Sequence, residues 1–144
     1  AVGLDPTDLV VEVTETELVE DDSTAERSLL ALAEAGIQIA IDDFGAGYSS
    51  FDYLTRMPVT FLKIDRRLTH ALPTNARSRR VLRALVTMCL DMGVALIAEG
   101  IETEAERAAY LDIGIEFGQG FLFKPAVALD ELIADLRAEV RSGG

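Results

Sequence analysis

The sequence predicts an α/β fold built on a parallel sheet. Short apolar runs of strand length alternate with longer segments of helical period, which is the signature of repeated βαβ units. The runs are nearly continuous in apolar residues, as expected of strands covered on both faces. Hydrophobic residues make up 49% of the 144 positions, enough for one domain with a real core.

The elements follow in order. Leu9-Val10-Val11-Glu12-Val13 reads as the first strand. Ser23-Thr24-Ala25-Glu26 fits a capping box, in which the hydroxyl accepts an orphan N–H and the glutamate reaches back. The helix it opens carries Leu29, Leu30, Leu32 and Ala33 and stops at Gly36. Ile37 to Ile41 is the second strand, ending at Asp42-Asp43. A glycine-containing loop and a short helical piece lead to a third strand, Phe61-Leu62-Lys63-Ile64-Asp65. From Arg77 to Met92, apolar residues recur at helical spacing (Val81, Leu82, Leu85, Val86, Met88, Cys89), and Gly93 ends the run. Ala95 to Ala98 is the fourth strand, ending at Glu99-Gly100. Thr103 to Glu106 is a second capping box, and its helix stops at Gly114. Phe117 to Phe121 reads as a fifth strand, and Leu129, Leu132, Ile133, Leu136 and Val140 as a terminal amphipathic helix over about 129–141.

Charge and composition exclude several classes. Acidic residues outnumber basic ones 25 to 13, a net charge of −12. Such a chain repels a polyphosphate, so no DNA or RNA partner is expected. Any phosphate ester it binds needs cations at the site. No run approaches the length of a membrane span, and the first residues do not read as a signal peptide. One cysteine and one histidine exclude an internal disulfide and paired-His metal motifs, and a reducing cytoplasm is the expected compartment. The Arg77-Ser78-Arg79-Arg80 cluster reads as a solvated helix face. Gly45-Ala46-Gly47 lacks the third glycine of a dinucleotide fingerprint, since Ser50 stands in its place, and there is no P-loop. His70 lies outside any strand end, Cys89 on an apolar helix face, and Tyr48 and Phe51 read as packing or interface residues.

The informative pattern is positional. Each apolar strand carries a polar residue, usually near its C-terminal end: Glu12, Asp42 with Asp43, Lys63 with Asp65, Glu99, and Gln119. In parallel α/β folds those ends form the ligand face. Taken singly, each has a bland reading: an edge-strand acid, a helix cap, or a Lys63–Asp65 ion pair on one strand face. Five strands repeating the pattern argue otherwise. Ionised groups on apolar strands are costly unless paired or metal-bound. Carboxylates without His or Cys are hard oxygen donors, suited to Mg²⁺, Mn²⁺ or Ca²⁺ rather than zinc. The adjacent pair Asp42-Asp43 suits two such ions, and Lys63 supplies charge for a nucleophile or a phosphorane-like state.

At these residues the sequence resembles the EAL domain, a bacterial module that cleaves cyclic di-GMP. The resemblance rests on Glu12-Val13-Thr14-Glu15, on Asp42-Asp43-Phe44-Gly45-Ala46-Gly47-Tyr48-Ser49-Ser50, on Leu62-Lys63-Ile64-Asp65, on Ala98-Glu99-Gly100-Ile101-Glu102 and on Gly118-Gln119-Gly120, in order, over roughly residues 9–125. It implies a TIM-like (β/α) barrel and metal-dependent hydrolysis of cyclic di-GMP to linear pGpG. By the same resemblance Glu12 and Asp42 look like ligands of a first metal, Mg²⁺ or Mn²⁺, and Asp42, Asp43 and Glu99 of a second. Lys63 looks like the lysine that contacts the catalytic water, with Glu99 a candidate general base. Glu15 matches the glutamate that steadies the loop after the double aspartate, while Asp65, Glu102 and Gln119 match site-lining positions. The Gly45 to Ser50 loop lies near the dimer interface in many members.

The departure from the family is large. These 144 residues contain no Glu-Ala-Leu signature and no asparagine ligand ahead of Glu12. A full barrel takes about 250 residues. The expectation is a single incomplete domain over 1–144, a partial barrel of about five mostly parallel strands with flanking helices. By itself it is expected to be inactive or nearly so, and to self-associate through exposed strand edges or the Gly45 to Ser50 loop. Two alternatives are a non-catalytic cyclic di-GMP-binding or signalling interaction module, and a generic acidic metal-binding domain.

Overall fold

The computed structural model describes residues 5–19, 23–45, 51–69, 75–128, 130–131 and 133–134. Among these residues five strands, β1 (Val10–Thr14), β2 (Gln38–Phe44), β3 (Phe61–Ile64), β4 (Ala95–Ala98) and β5 (Phe117–Gly118), form one sheet in the order β1-β2-β3-β4-β5. Every neighbouring pair is parallel. Strand order that never reverses is the order of a barrel arc. In a doubly wound sheet the order turns back at a switch point.

Among the described residues, six helices connect the strands: α1 (Glu15–Val19), α2 (Ser23–Glu34), α3 (Asp52–Arg56), α4 (Arg66–Thr69), α5 (Ala76–Asp91) and α6 (Glu104–Ile113). If each crossover is right-handed, a sheet that grows in one direction carries its helices on one face. The burial agrees. Ile39, Ile41, Leu62, Ile64, Leu96 and Ala98 alternate along β2 to β4 on the helix-covered face and form the core with Leu29, Leu82, Val86, Cys89 and Tyr110. The register places Ile41 beside Leu62, Leu62 beside Leu96, and Ile64 beside Ala98, so these residues form rows across the sheet. The other face carries Glu12, Asp42 and Lys63. There, Phe61 and Phe117 meet edge to face at 6.3 Å between ring centroids.

The local signals mostly hold. Thr103 caps α6: its Oγ1 accepts from the Glu106 N–H at 3.2 Å, and Glu106 Oε2 accepts from the Thr103 N–H at 3.0 Å. Gly114 then ends the helix at φ +94°, a left-handed position that costs glycine nothing. The earlier capping box depends on the Ser23 side chain, which lies outside the described residues, as do His70, Tyr48 and most of the terminal helix. Within that last segment, residues 130–131 and 133–134 are helical.

Three expectations shift. β2 runs on to Phe44 instead of ending at the two aspartates. β5 is two residues long, because the backbone turns after Gly118 and residues 121–123 form a turn. A 3-10 turn at Pro6–Asp8 and the short helices α1 and α4 sit where the sequence reading placed nothing. Elements of three to five residues are too short for a period to emerge.

Candidate functional site

The site starts from a bulge. Ile41 pairs with Leu62 and Phe44 pairs with Ile64, so Asp42 and Asp43 together oppose the single residue Lys63. On a regular strand two consecutive side chains point to opposite faces. Here the extra residue breaks the alternation, with Asp43 at φ +58°, a conformation aspartate tolerates better than most residues. The turn is held by the Asp42 carboxylate, whose Oδ1 accepts from the Asp43 N–H at 2.9 Å. As a result Asp42, Asp43 and Glu99 each offer a carboxylate oxygen within 4.8 Å of the others. All are hard donors, the set expected for an alkaline-earth ion or Mn²⁺.

Lys63 is the centre of the constellation. It is 3% exposed, and its Nζ lies 2.8 Å from Glu12 Oε2, 2.9 Å from Glu99 Oε1 and 3.1 Å from Asp42 Oδ1. Acids of three strands, Glu12 within β1, Asp42 late in β2 and Glu99 just past β4, thus converge on one ammonium from β3. Burial alone disfavours the charged lysine, but hydrogen bonds to Glu12, Glu99 and Asp42 more than offset it. Its pKa therefore lies above the ordinary value, and the side chain stays protonated. Glu99 moves the other way from most paired acids. Burial raises its pKa and the nearby Asp42 and Asp43 charges add to that, while Lys63 opposes. Lys63 reaches three acids, and the Lys63–Asp65 pair that strand period allows is not the one formed.

The remaining expected residues fall around this centre. Glu15, 5% exposed, accepts from the Gly45 N–H at 3.2 Å through Oε2, so it grips the start of the loop after the double aspartate. Asp65 follows β3 directly, and its carboxylate takes Arg67 Nε at 2.8 Å and the Arg67 N–H at 2.6 Å. The hydrogen bond from Arg67 holds its pKa below the usual carboxylate range. Glu102 pairs with Arg66 at 2.6 Å. With Gln119, Gly100, Phe121 and Lys124, that pair lines an open cavity of about 590 Å³ beside the β4 and β5 tips. The structure therefore brings Glu12, Asp42, Asp43, Lys63 and Glu99 together, and sets Glu102 and Gln119 on an adjoining rim.

Sequence reasoning missed Arg66, Arg67 and Lys124. Arg66 pairs with Glu102, Arg67 with Asp65 and Lys124 with Glu131, and the adjacency of Arg66 and Arg67 to the Lys63-Ile64-Asp65 strand end was the available signal. Among the described residues no helix is long and apolar enough to cross a membrane.

Comparison with known proteins fits this geometry. The EAL domain family model matches residues 1–126. An uncharacterised protein of Mycobacterium tuberculosis is 40% identical over 125 residues, covering 87% of this chain and 20% of that protein. The cyclic di-GMP phosphodiesterase RocR of Pseudomonas aeruginosa is 35% identical over 120 residues, covering 83% of this chain and 31% of RocR. Among solved structures, the manganese and cyclic di-GMP complex of Klebsiella pneumoniae BlrP1 superposes with a TM-score of 0.77 at 38% identity, over 83% of this chain and 31% of that one. The chain therefore spans well under half the length of these relatives. Sequential parallel strands, acids gathered on one face of the sheet around Lys63 and a match along most of the length lead to one conclusion: the chain belongs to the EAL domain family.

Proposed function

We propose that these residues form part of the catalytic domain of a cyclic di-GMP phosphodiesterase, which opens one phosphodiester to give pGpG. The observation that carries the reading is the buried Lys63 ammonium held by Glu12, Asp42 and Glu99 beside the Asp42, Asp43 and Glu99 oxygens. An all-carboxylate donor set fits Mg²⁺ or Mn²⁺, with Glu12 and Asp42 toward one ion and Asp42, Asp43 and Glu99 toward another. When bound, such ions supply positive charge to the phosphodiester and acidify water.

The chain's own residues do the rest. Lys63 is fixed at the centre of the cluster by Glu12, Asp42 and Glu99, and in the metal-free site it is held as an ammonium. It serves as a hydrogen-bond donor that orients water and adds positive charge where negative charge develops. Glu99 places a carboxylate oxygen beside Lys63 Nζ at 2.9 Å and next to the Asp42 and Asp43 oxygens, a position from which it can accept a proton from an attacking water. Glu15 steadies the loop that follows the aspartates through Gly45. Glu102 and Gln119 present polar groups to the substrate from the 590 Å³ cavity, and Asp65 holds Arg67 just past β3. Asp42, Asp43, Glu99 and Lys63 are present, which favours turnover by the complete domain over a non-catalytic binding module. The substrate and the single buried cysteine, Cys89, suit a reducing cytoplasm.

The test uses the complete domain. With Mg²⁺ or Mn²⁺ it should convert cyclic di-GMP to pGpG by chromatography. Asp42→Asn should lower kcat by a factor on the order of 10² or more, since it removes charge from both ion positions. Because these 144 residues carry no Glu-Ala-Leu signature, the chain by itself should yield no pGpG. Undiminished turnover by Asp42→Asn would leave the reading without its main support.

A further inference from the structure

We infer that Ile101 and Gly118 form a size-matched lock that sets the rim segment 119–124 and so positions Gln119. The inference rests on the phosphodiesterase reading only for its kinetic consequence.

Ile101 lies just past β4, between Glu99 and Glu102, and is 2% exposed. Its peptide is spliced into the turn after β5. The Ile101 N–H donates to the Gln119 carbonyl at 3.1 Å, and its own carbonyl accepts from the Leu122 N–H at 2.9 Å. A third bond, from the Gln119 N–H to the Ala98 carbonyl at 2.9 Å, continues the β4–β5 ladder.

The two glycines around Gln119 leave no space on this side. A Cβ at Gly118 would stand 2.4 Å from Ile101 Cδ1, while its next neighbours, Ala98 O at 3.6 Å and Phe123 Cε2 at 3.7 Å, are at ordinary contact distance. At Gly120 a Cβ would fall 2.2 Å from the Ile101 carbonyl oxygen and 2.3 Å from its nitrogen. Those are backbone atoms held by the hydrogen bonds above, so they cannot give way. Gln119 is the one residue with a side chain beyond hydrogen in the Gly118 to Gly120 triplet, and it lines the cavity together with Arg66 and Glu102. The same isoleucine that fixes the Glu99–Glu102 loop therefore fixes Gln119, and the two strand tips keep one relative placement. Gly118, Gly120 and Ile101 are positioning residues, since none carries a group for the reaction.

The chemistry of the Gly118 contact dictates the experiment. Gly118→Ala adds a methyl opposed chiefly by one atom, Cδ1 of Ile101, and Ile101→Val deletes that atom. In the complete domain, with cyclic di-GMP and Mn²⁺, Gly118→Ala should raise KM about tenfold with a smaller fall in kcat, and shift the Gln119 side-chain amide resonance in NMR spectra. Ile101→Val alone should stay within about twofold of wild type, and the double variant should recover both the KM and the resonance. A Gly118→Ala protein with unchanged KM and resonance overturns the lock, as does a double variant as impaired as the single. If Gly118→Ala does not fold, the double variant decides: folding with the wild-type resonance supports the lock, and failure to fold overturns it. If the wild-type domain shows no turnover, the phosphodiesterase reading fails, and the Gln119 resonance in the same variants still decides the lock.

Discussion

At Lys63 one ammonium faces three carboxylates, with side-chain exposures of 49% for Glu12, 25% for Asp42 and 19% for Glu99 against 4% for the lysine. The lysine is the buried partner and the acids are partly solvated, so its removal leaves repelling but not stranded charges. Breaking a fully buried pair costs about 3–5 kcal/mol, whereas exposed pairs are worth about 1 kcal/mol or less. Lys63→Met, which keeps the stem and drops the charge, should therefore destabilise the metal-free domain by about 1–2 kcal/mol. Divalent ions compete with the ammonium for the same oxygens. The variant should thus gain more in melting temperature from Mg²⁺ than wild type does, by linkage to a tighter site. Melting curves in EDTA and in Mg²⁺ measure both effects, and equal Mg²⁺ shifts in the two proteins would argue against a shared site. Much of this cluster was legible before any coordinates, because acids near the ends of successive apolar strands have one natural meeting place. Which acids would hold the lysine was not legible. Strand period offered Asp65, and only the fold shows that Asp65 has turned to Arg67.

Helices announce their ends more clearly than strands do. The Thr103–Glu106 box was visible as a spacing of three, and the structure forms both of its reciprocal bonds, at 3.2 and 3.0 Å. Glu106 also accepts from the Glu102 N–H at 2.9 Å, which anchors the loop carrying the rim acid to α6. Thr103→Ala should cost about 1 kcal/mol in urea unfolding of the complete domain. A variant with the wild-type midpoint would mean that Glu106 alone supports the helix start. The bulge at Asp42-Asp43 had no comparable signature. Two acids after an apolar run look like the end of a strand, and only the pairing of Phe44 with Ile64 shows that the ladder resumes beyond them. β5 failed in the opposite direction: Phe117 to Phe121 has the aromatic content of a strand, but Gly118 and Gly120 serve close approach to Ile101 rather than extension.

Taken whole, the described sheet is an open arc with β1 at one edge and β5 at the other. Near β1 stand Leu9 and Val10, 43% and 46% exposed; at and beyond β5 stand Phe117, Phe121 and Phe123, 54%, 74% and 54% exposed. An unpaired parallel edge offers backbone donors and acceptors, and the flanking apolar side chains add the drive to cover them. Against this stands the net charge of −12, which repels like copies. Salt decides between them: the Debye length is about 30 Å at 0.01 M and about 8 Å at 0.15 M, so added salt removes the repulsion and leaves the apolar edges untouched. We propose that the 144-residue chain on its own self-associates through these edges, more so as ionic strength rises. Sedimentation velocity at low and at physiological salt should show a shift from smaller to larger species. A stable, monodisperse monomer at both would mean the arc covers its edges internally, and association weakening with salt would point instead to a charge-driven contact, such as the arginines of α5 meeting acids of a second copy.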